Sequence, residues 1–156
     1  MKIKTLAAIL FFSAGAMSAV AQEENCNSNS SISHEAVKAG NFKDAYTPWR
    51  AVFDNCPMLR FYTYADGFKI LQGFLDADNA ANGNARTSAE YKKYFDELME
   101  VHDQRMKYIP EFQSKMKGVP SIADALGTKS IAYLNYAPTV DVDVVYAWLK
   151  KSVDEL

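Results

Sequence analysis

Histidine and cysteine are scarce in this chain: His34 and His102, Cys26 and Cys56 are all that 156 residues contain. Neither type opens a zinc pattern, so no metal site is expected. Seven glycines and five prolines are too few for a collagen-like or low-complexity disordered chain. Charge of neither sign dominates, with 17 Lys+Arg against 19 Asp+Glu for a formal −2. That balance is too small and of the wrong sign for a protein whose affinity rests on counterion release from a phosphate backbone, so nucleic acid is not an expected partner. Beyond the N-terminus no apolar run approaches the about twenty residues that span a bilayer, and no alternating strand pattern of comparable length to the helical ones occurs. What is present, a 49% hydrophobic composition, predicts one modest globular unit with its own core.

The first segment reads as an address. Met1-Lys2-Ile3-Lys4 is a short basic start, Leu6 to Met17 is apolar, and Ala19-Val20-Ala21 places small residues where a signal peptidase reads them. Residues 1–21 are expected to be a signal peptide cut before Gln22, leaving a mature chain without a transmembrane segment. Cys26 stands behind Gln22-Glu23-Glu24-Asn25, too far from the small residues for lipid attachment. Loss of Lys2 and Lys4 takes the formal charge from −2 to −4.

Residues 22–31 are polar and read as a lead. Ile32, Ala36 and Val37 then predict a short helix stopped by Gly40. Asn41 is placed to cap a second helix with Phe42, Ala45, Trp49, Val52 and Phe53 as its apolar stripe. Pro48 predicts a kink there, or a restart with Thr47 as cap, and Cys56-Pro57 closes it. A third helix over Arg60 to Ala77 carries Tyr64, Phe68, Leu71, Phe74 and Leu75, and its interior Gly67 and Gly73 imply close packing. Asp78 to Arg86 reads as a solvated loop. Thr87-x-x-Glu90 predicts a capping box for a helix carrying Tyr91, Phe95, Leu98, His102 and Arg105 to Tyr108, before Pro110. Pro120-Ser121-x-x-Asp124 opens a fifth helix that stops at Ala137-Pro138. Asp141 or Asp143 caps a sixth with Val145, Trp148, Leu149, Ser152, Val153 and Leu156 on one side. The prediction is an all-α chain of three consecutive helix pairs, at about 32–57, 58–110 and 119–156.

Export places the two cysteines where disulfides persist. In an antiparallel hairpin the start of one helix lies beside the end of the next, and Cys26 and Cys56 occupy those ends, so a Cys26–Cys56 bridge is expected; two free thiols or an intermolecular link are the alternatives. An oxidised pair leaves no thiolate for catalysis, and His102, on an apolar helix side, reads as a packed neutral histidine. Asp78, Asn82 and Gly83 match three places of a calcium loop. Ala80 occupies a ligand place, however, and Glu90 arrives one residue late, which favours a plain connector. Asp66 and Lys69 on the third helix, with Asp103 and Arg105 on the fourth, form a candidate polar cluster. Its readings are a structural Asp66–Arg105 pair, a notch for a carboxylate or peptide end, and an acid–base pair, with the structural one preferred. Tyr62, Tyr64, Tyr94 and Tyr133 are candidates to line a concave surface. No catalytic residue and no cofactor are predicted.

Gly40-x-Phe42-x-x-Ala45-x-x-x-Trp49-x-x-Val52-Phe53-x-x-x-Pro57 resembles the second half of a tetratricopeptide repeat, with a turn glycine, an aromatic, a small contact residue, a large one and a closing proline. Ser33 stands where the family usually has glycine. Two further pairs resemble degenerate copies: Pro110 closes the second, 53 residues after Pro57 against a usual repeat of about 34, and the third stops at Leu156, as in a shortened member or one whose last face something else covers. The runs His34-Glu35-Ala36, Ala45-Tyr46-x-Pro48-Trp49, Asp66-Gly67-x-Lys69 and Asp103-Gln104-Arg105-x-Lys107-Tyr108 are similar to exported tetratricopeptide-repeat proteins of Gram-negative anaerobes, over most of residues 32–156. The resemblance implies a right-handed superhelix of stacked pairs. It also implies a non-enzymatic scaffold that binds a protein or peptide in the periplasm or at the outer membrane. A small glycan-binding module and, third, an envelope hydrolase are the alternative functions.

Overall fold

The computed structural model describes residues 14–154, with side-chain surroundings from residue 25 onward. Six helices follow in order: α1 (Ala14–Lys38), α2 (Phe42–Asn55), α3 (Tyr62–Ala81), α4 (Ala89–Lys115), α5 (Ile122–Tyr136) and α6 (Val142–Asp154). They form three antiparallel pairs, α1 with α2, α3 with α4 and α5 with α6, and the pairs stack in chain order through α2 on α3 and α4 on α5. No strand occurs among the described residues. The expected all-α architecture of consecutive helix pairs is the observed one.

Each turn has a local cause. After α1, Gly40 takes a φ of 73°, a left-handed conformation that costs a residue without Cβ nothing. There Gly40 N–H donates to the Val37 carbonyl and Asn41 N–H to that of Ala36, the paired closure of a Schellman end. At α5 the predicted box forms: the Ser121 hydroxyl accepts from Asp124 N–H at 3.0 Å while the Asp124 carboxylate accepts from Ser121 N–H at 3.0 Å. Asp141 caps α6, accepting from Asp143 N–H at 3.0 Å.

Several boundaries differ from the expected ones. The polar stretch 22–31 is not a lead but part of α1. Its buried face is made of Cys26, Ser30, Ser33 and Val37, at helical spacing yet too small and polar to register as an apolar stripe; Ile32, expected inward, is 54% exposed. Residues 1–13 of the predicted leader 1–21 lie outside the described residues, and the expected cut before Gln22 falls within α1. Asn41 does not cap α2 with its side chain but donates it to the Asp44 carboxylate at 2.6 Å. α2 runs through Pro48 without restarting at Thr47, held by Ala45, Trp49, Val52 and Phe53, all fully buried. α3 continues to Ala81, so Asp78 to Ala81 are helix and not loop. The cap of α4 is Ser88, not Thr87, with its hydroxyl accepting from Tyr91 N–H at 2.8 Å. α4 passes through Pro110 to Lys115: burial of Ile109 and Phe112 on either side offsets the backbone hydrogen bond that proline forfeits.

The core sits where α2 and α3 cross. Trp49 lies against Gly67, where an added Cβ would come 2.6 Å from its ring, and Phe42 lies against Gly73 with as little room. The two glycines thus let aromatic rings of one pair rest on the backbone of the next, as close packing requires. Trp49 also stacks on Phe53 at 5.3 Å and donates Nε1–H to the Thr63 carbonyl at 2.9 Å. Cys26 and Cys56 form the expected disulfide, with Cα atoms 6.3 Å apart, tying α1 to the end of α2.

Candidate functional site

The predicted polar cluster does not assemble. Asp66 is buried at 2% exposure, but on the side of α3 turned to α1, where its carboxylate meets His34 Nδ1 at 2.8 Å. Asp103 instead accepts from Lys129 of α5 at 2.5 Å. Arg105 lies half-buried over the rings of Phe61 and Phe68, 5.4 and 5.5 Å from their centroids, and burial lowers its pKa below the usual guanidinium value, opposed by Asp124. Lys69 is exposed. Helical spacing places these residues on neighbouring helices, but the turn on which each faces its neighbour decides the partner, and the partners of Asp66 and Asp103 come from other helix pairs.

The structure gathers a different set between α1, α3 and the end of α4. Beside the His34–Asp66 pair, the His34 ring packs on Tyr62 at 4.3 Å, and the Tyr62 hydroxyl is 3.0 Å from that of Ser30. These contacts fasten the first pair to the start of the second. Tyr62 also forms one wall of a groove of about 520 Å³, shared with Leu59, Arg60, Phe61, Ala65, Phe112 and Met116. The walls are mainly apolar. Met116 is 46% exposed at the lip, and Arg60 is exposed beside it. Such a groove has room for an apolar side chain, with a cation at hand for a carbonyl or carboxylate. Of the residues from Leu59 to Tyr62 the sequence points to Tyr62 alone, as a candidate for a concave surface; Leu59, Arg60 and Phe61 carry no periodic signal of their own.

A second set joins α2 to α4. The Tyr46 hydroxyl donates to Glu97 at 2.9 Å, Arg50 grips Glu100 with two nitrogens at 2.8 and 3.2 Å while pairing with Asp54, and Gln104 donates to the Phe53 carbonyl at 2.8 Å. Burial and the bond to Glu97 raise the pKa of Tyr46, holding its hydroxyl protonated. Lys93 covers Tyr46 and Tyr94. This belt steadies the stacking of the first two pairs.

The tyrosines proposed for a concave surface are mostly committed to packing. Tyr64 is fully buried and donates to the Pro57 carbonyl. Tyr94 packs on Phe74, and Tyr133 packs between Phe95 and Trp148; Tyr62 alone of the four reaches the groove. His102, 1% exposed and stacked on Phe68 at 4.2 Å, is the packed histidine expected, with its pKa lowered to about 3, first by burial and then by Arg105 and Lys129. Among the described residues no group of three or more His, Cys, Asp or Glu is placed to hold a metal ion, and no helix is long and apolar enough to cross a membrane.

The last pair has an open side. α6 presents only Val145 as a buried residue, whereas Leu149 and Val153, expected inward, are 43% and 67% exposed along with Val142 and Tyr146. Trp148 and Ser152 face α5, where Lys129 sits 4.3 Å above the Trp148 ring and Ser152 donates to the Ala123 carbonyl. Leu156 lies outside the described residues. Against known proteins, the chain matches no protein-family model, no curated protein and no solved structure.

Proposed function

We propose that the protein is an exported, non-enzymatic helical-repeat adaptor of the tetratricopeptide type that holds a polypeptide of the cell envelope against its stacked helix pairs. The observation that carries the reading is the apolar groove between the start of α3 and the end of α4, with Met116 at its lip and Arg60 beside it. The repeat-type residues support it: Gly40 turns the chain, Ala45 and Trp49 are wholly buried at the joint between pairs, Phe42 rests on Gly73, and Pro57 follows the end of α2. The Cys26–Cys56 bridge fits a compartment in which disulfides persist.

The test is capture. After crosslinking in envelope preparations, the purified protein brings down a specific polypeptide, and Met116→Asp with Arg60→Glu reduces its recovery on the order of tenfold or more, the effect of losing a buried anchor and its charge partner. Recovery of no specific polypeptide, or recovery indifferent to both changes, contradicts the reading.

A further inference from the structure

The exposed side of α6 is ordered, not scattered. Val142, Tyr146, Leu149 and Val153 are 69%, 67%, 43% and 67% exposed and follow one another at steps of four, three and four residues. That is the seam spacing of two helices packed side by side. The stripe also reads the same in both directions. Laid antiparallel on a copy of itself, it sets Val142 against the second copy's Val153 and Tyr146 against the second copy's Leu149, then repeats both layers across the two-fold axis, as an isologous contact requires.

The charges beside the stripe obey the same symmetry. Asp143 and Lys150 each stand one position after a seam residue, Val142 and Leu149, and both are exposed. In the antiparallel register these positions flank the same two layers, so Asp143 of one copy meets Lys150 of the other, twice. In a parallel arrangement the two copies of Asp143, like those of Lys150, would lie on opposite sides of the seam, and neither would meet its opposite charge. The last turn is basic at Lys151 and the first acidic at Asp143, so antiparallel pairing also opposes the two helix dipoles.

We infer that α6 is a homodimerisation helix: two copies of the chain associate through an antiparallel, two-fold contact of Val142, Tyr146, Leu149 and Val153, with reciprocal Asp143–Lys150 pairs setting direction and register. This covers the open end of the helix stack with a second copy of the same end. It stands apart from the groove at Met116, and neither reading needs the other.

Sedimentation equilibrium on the protein purified from cells, across concentrations around 50 μM, tests it. The wild type is expected at twice the monomer mass. Tyr146→Glu, at a position exposed in the single chain and so tolerated by its fold, is expected at the monomer mass with an unchanged circular-dichroism spectrum. Asp143→Lys and Lys150→Asp each weaken association on the order of tenfold, by turning two attractions into two repulsions, and the double exchange restores wild-type affinity. A wild type that is monomeric throughout, a dimer untouched by Tyr146→Glu, or a double exchange that fails to restore association overturns the inference.

Discussion

Replacing Gly67 by alanine sets two effects of opposite sign against each other, and the structure decides which prevails. Alanine is the better helix former by about 1 kcal/mol in a helix interior, which favours the variant. Its Cβ, however, would stand 2.6 Å from Trp49 Cζ2 and 2.9 Å from Cε2 and Nε1. The ring has no room to retreat: Trp49 is 0% exposed, stacked on Phe53 and tied through Nε1–H to the Thr63 carbonyl. Overpacking a filled core costs about 1–3 kcal/mol, and disturbing the buried indole hydrogen bond adds about 1 kcal/mol. The net expectation is a loss of about 2 kcal/mol, read as a lower urea midpoint at 25 °C, on the order of 1 M for a slope usual in small proteins. Gly127→Ala is the internal control, because that glycine is also helical but an added Cβ meets nothing within 4 Å; only the propensity gain remains, and the midpoint should rise. A Gly67→Ala protein as stable as the wild type, or more so, would refute the close ring-on-backbone packing of α2 on α3.

Two further outcomes follow from single groups. Removing the bridge with Cys26→Ser and Cys56→Ser, residues 30 apart, frees the unfolded chain by a loop-closure entropy of about 3.5 kcal/mol, and the melting temperature read by circular dichroism should fall on the order of 10 °C; an unchanged value would mean that the bridge constrains nothing. His102 is held neutral by burial, with a folded pKa of about 3 below the ordinary 6.5, so the unfolded chain takes up the proton first. Stability should therefore be full above about pH 6.5 and decline as pH falls toward 3, by about 2 kcal/mol at pH 5. His102→Leu should remove that part of the pH dependence, and a urea series giving the same slope for variant and wild type would contradict it.

Residues whose role is set within one turn of chain were legible. Gly40 as a helix end, Ser121 with Asp124 as a capping box, and Phe42, Ala45, Trp49 and Phe53 as one face all appear where local stereochemistry and period put them. Gly67 and Gly73 were readable as close contacts, although the rings that press on them come from another helix. The length of α1 was not legible, because its buried face is Cys26, Ser30, Ser33 and Val37. Hydroxyls serve there because Tyr62 and the Ser30 carbonyl satisfy them, and a search for apolar period passes over such a face. Pro110 misleads for a related reason: the local cost of a proline is visible in the sequence, whereas the anchoring of Ile109 and Phe112 is tertiary. In the polar cluster, spacing could tell that Asp66 and Arg105 belong to neighbouring helices. It could not tell that Asp66 turns to His34 on the preceding pair and Arg105 to two phenyl rings. On α6, one amphipathic pattern covers two faces, Val145 with Trp148 toward α5 and Leu149 with Val153 toward solvent, which only the packing of α5 separates.

The groove makes the most direct demand. With a photoreactive amino acid in place of Met116, irradiation of living cells should join the protein to one discrete envelope polypeptide, and the same probe at Lys69, exposed outside the groove walls, should not. Crosslinks from position 116 to nothing but lipid, or the same product from both positions, would contradict an adaptor that holds its partner between α3 and α4.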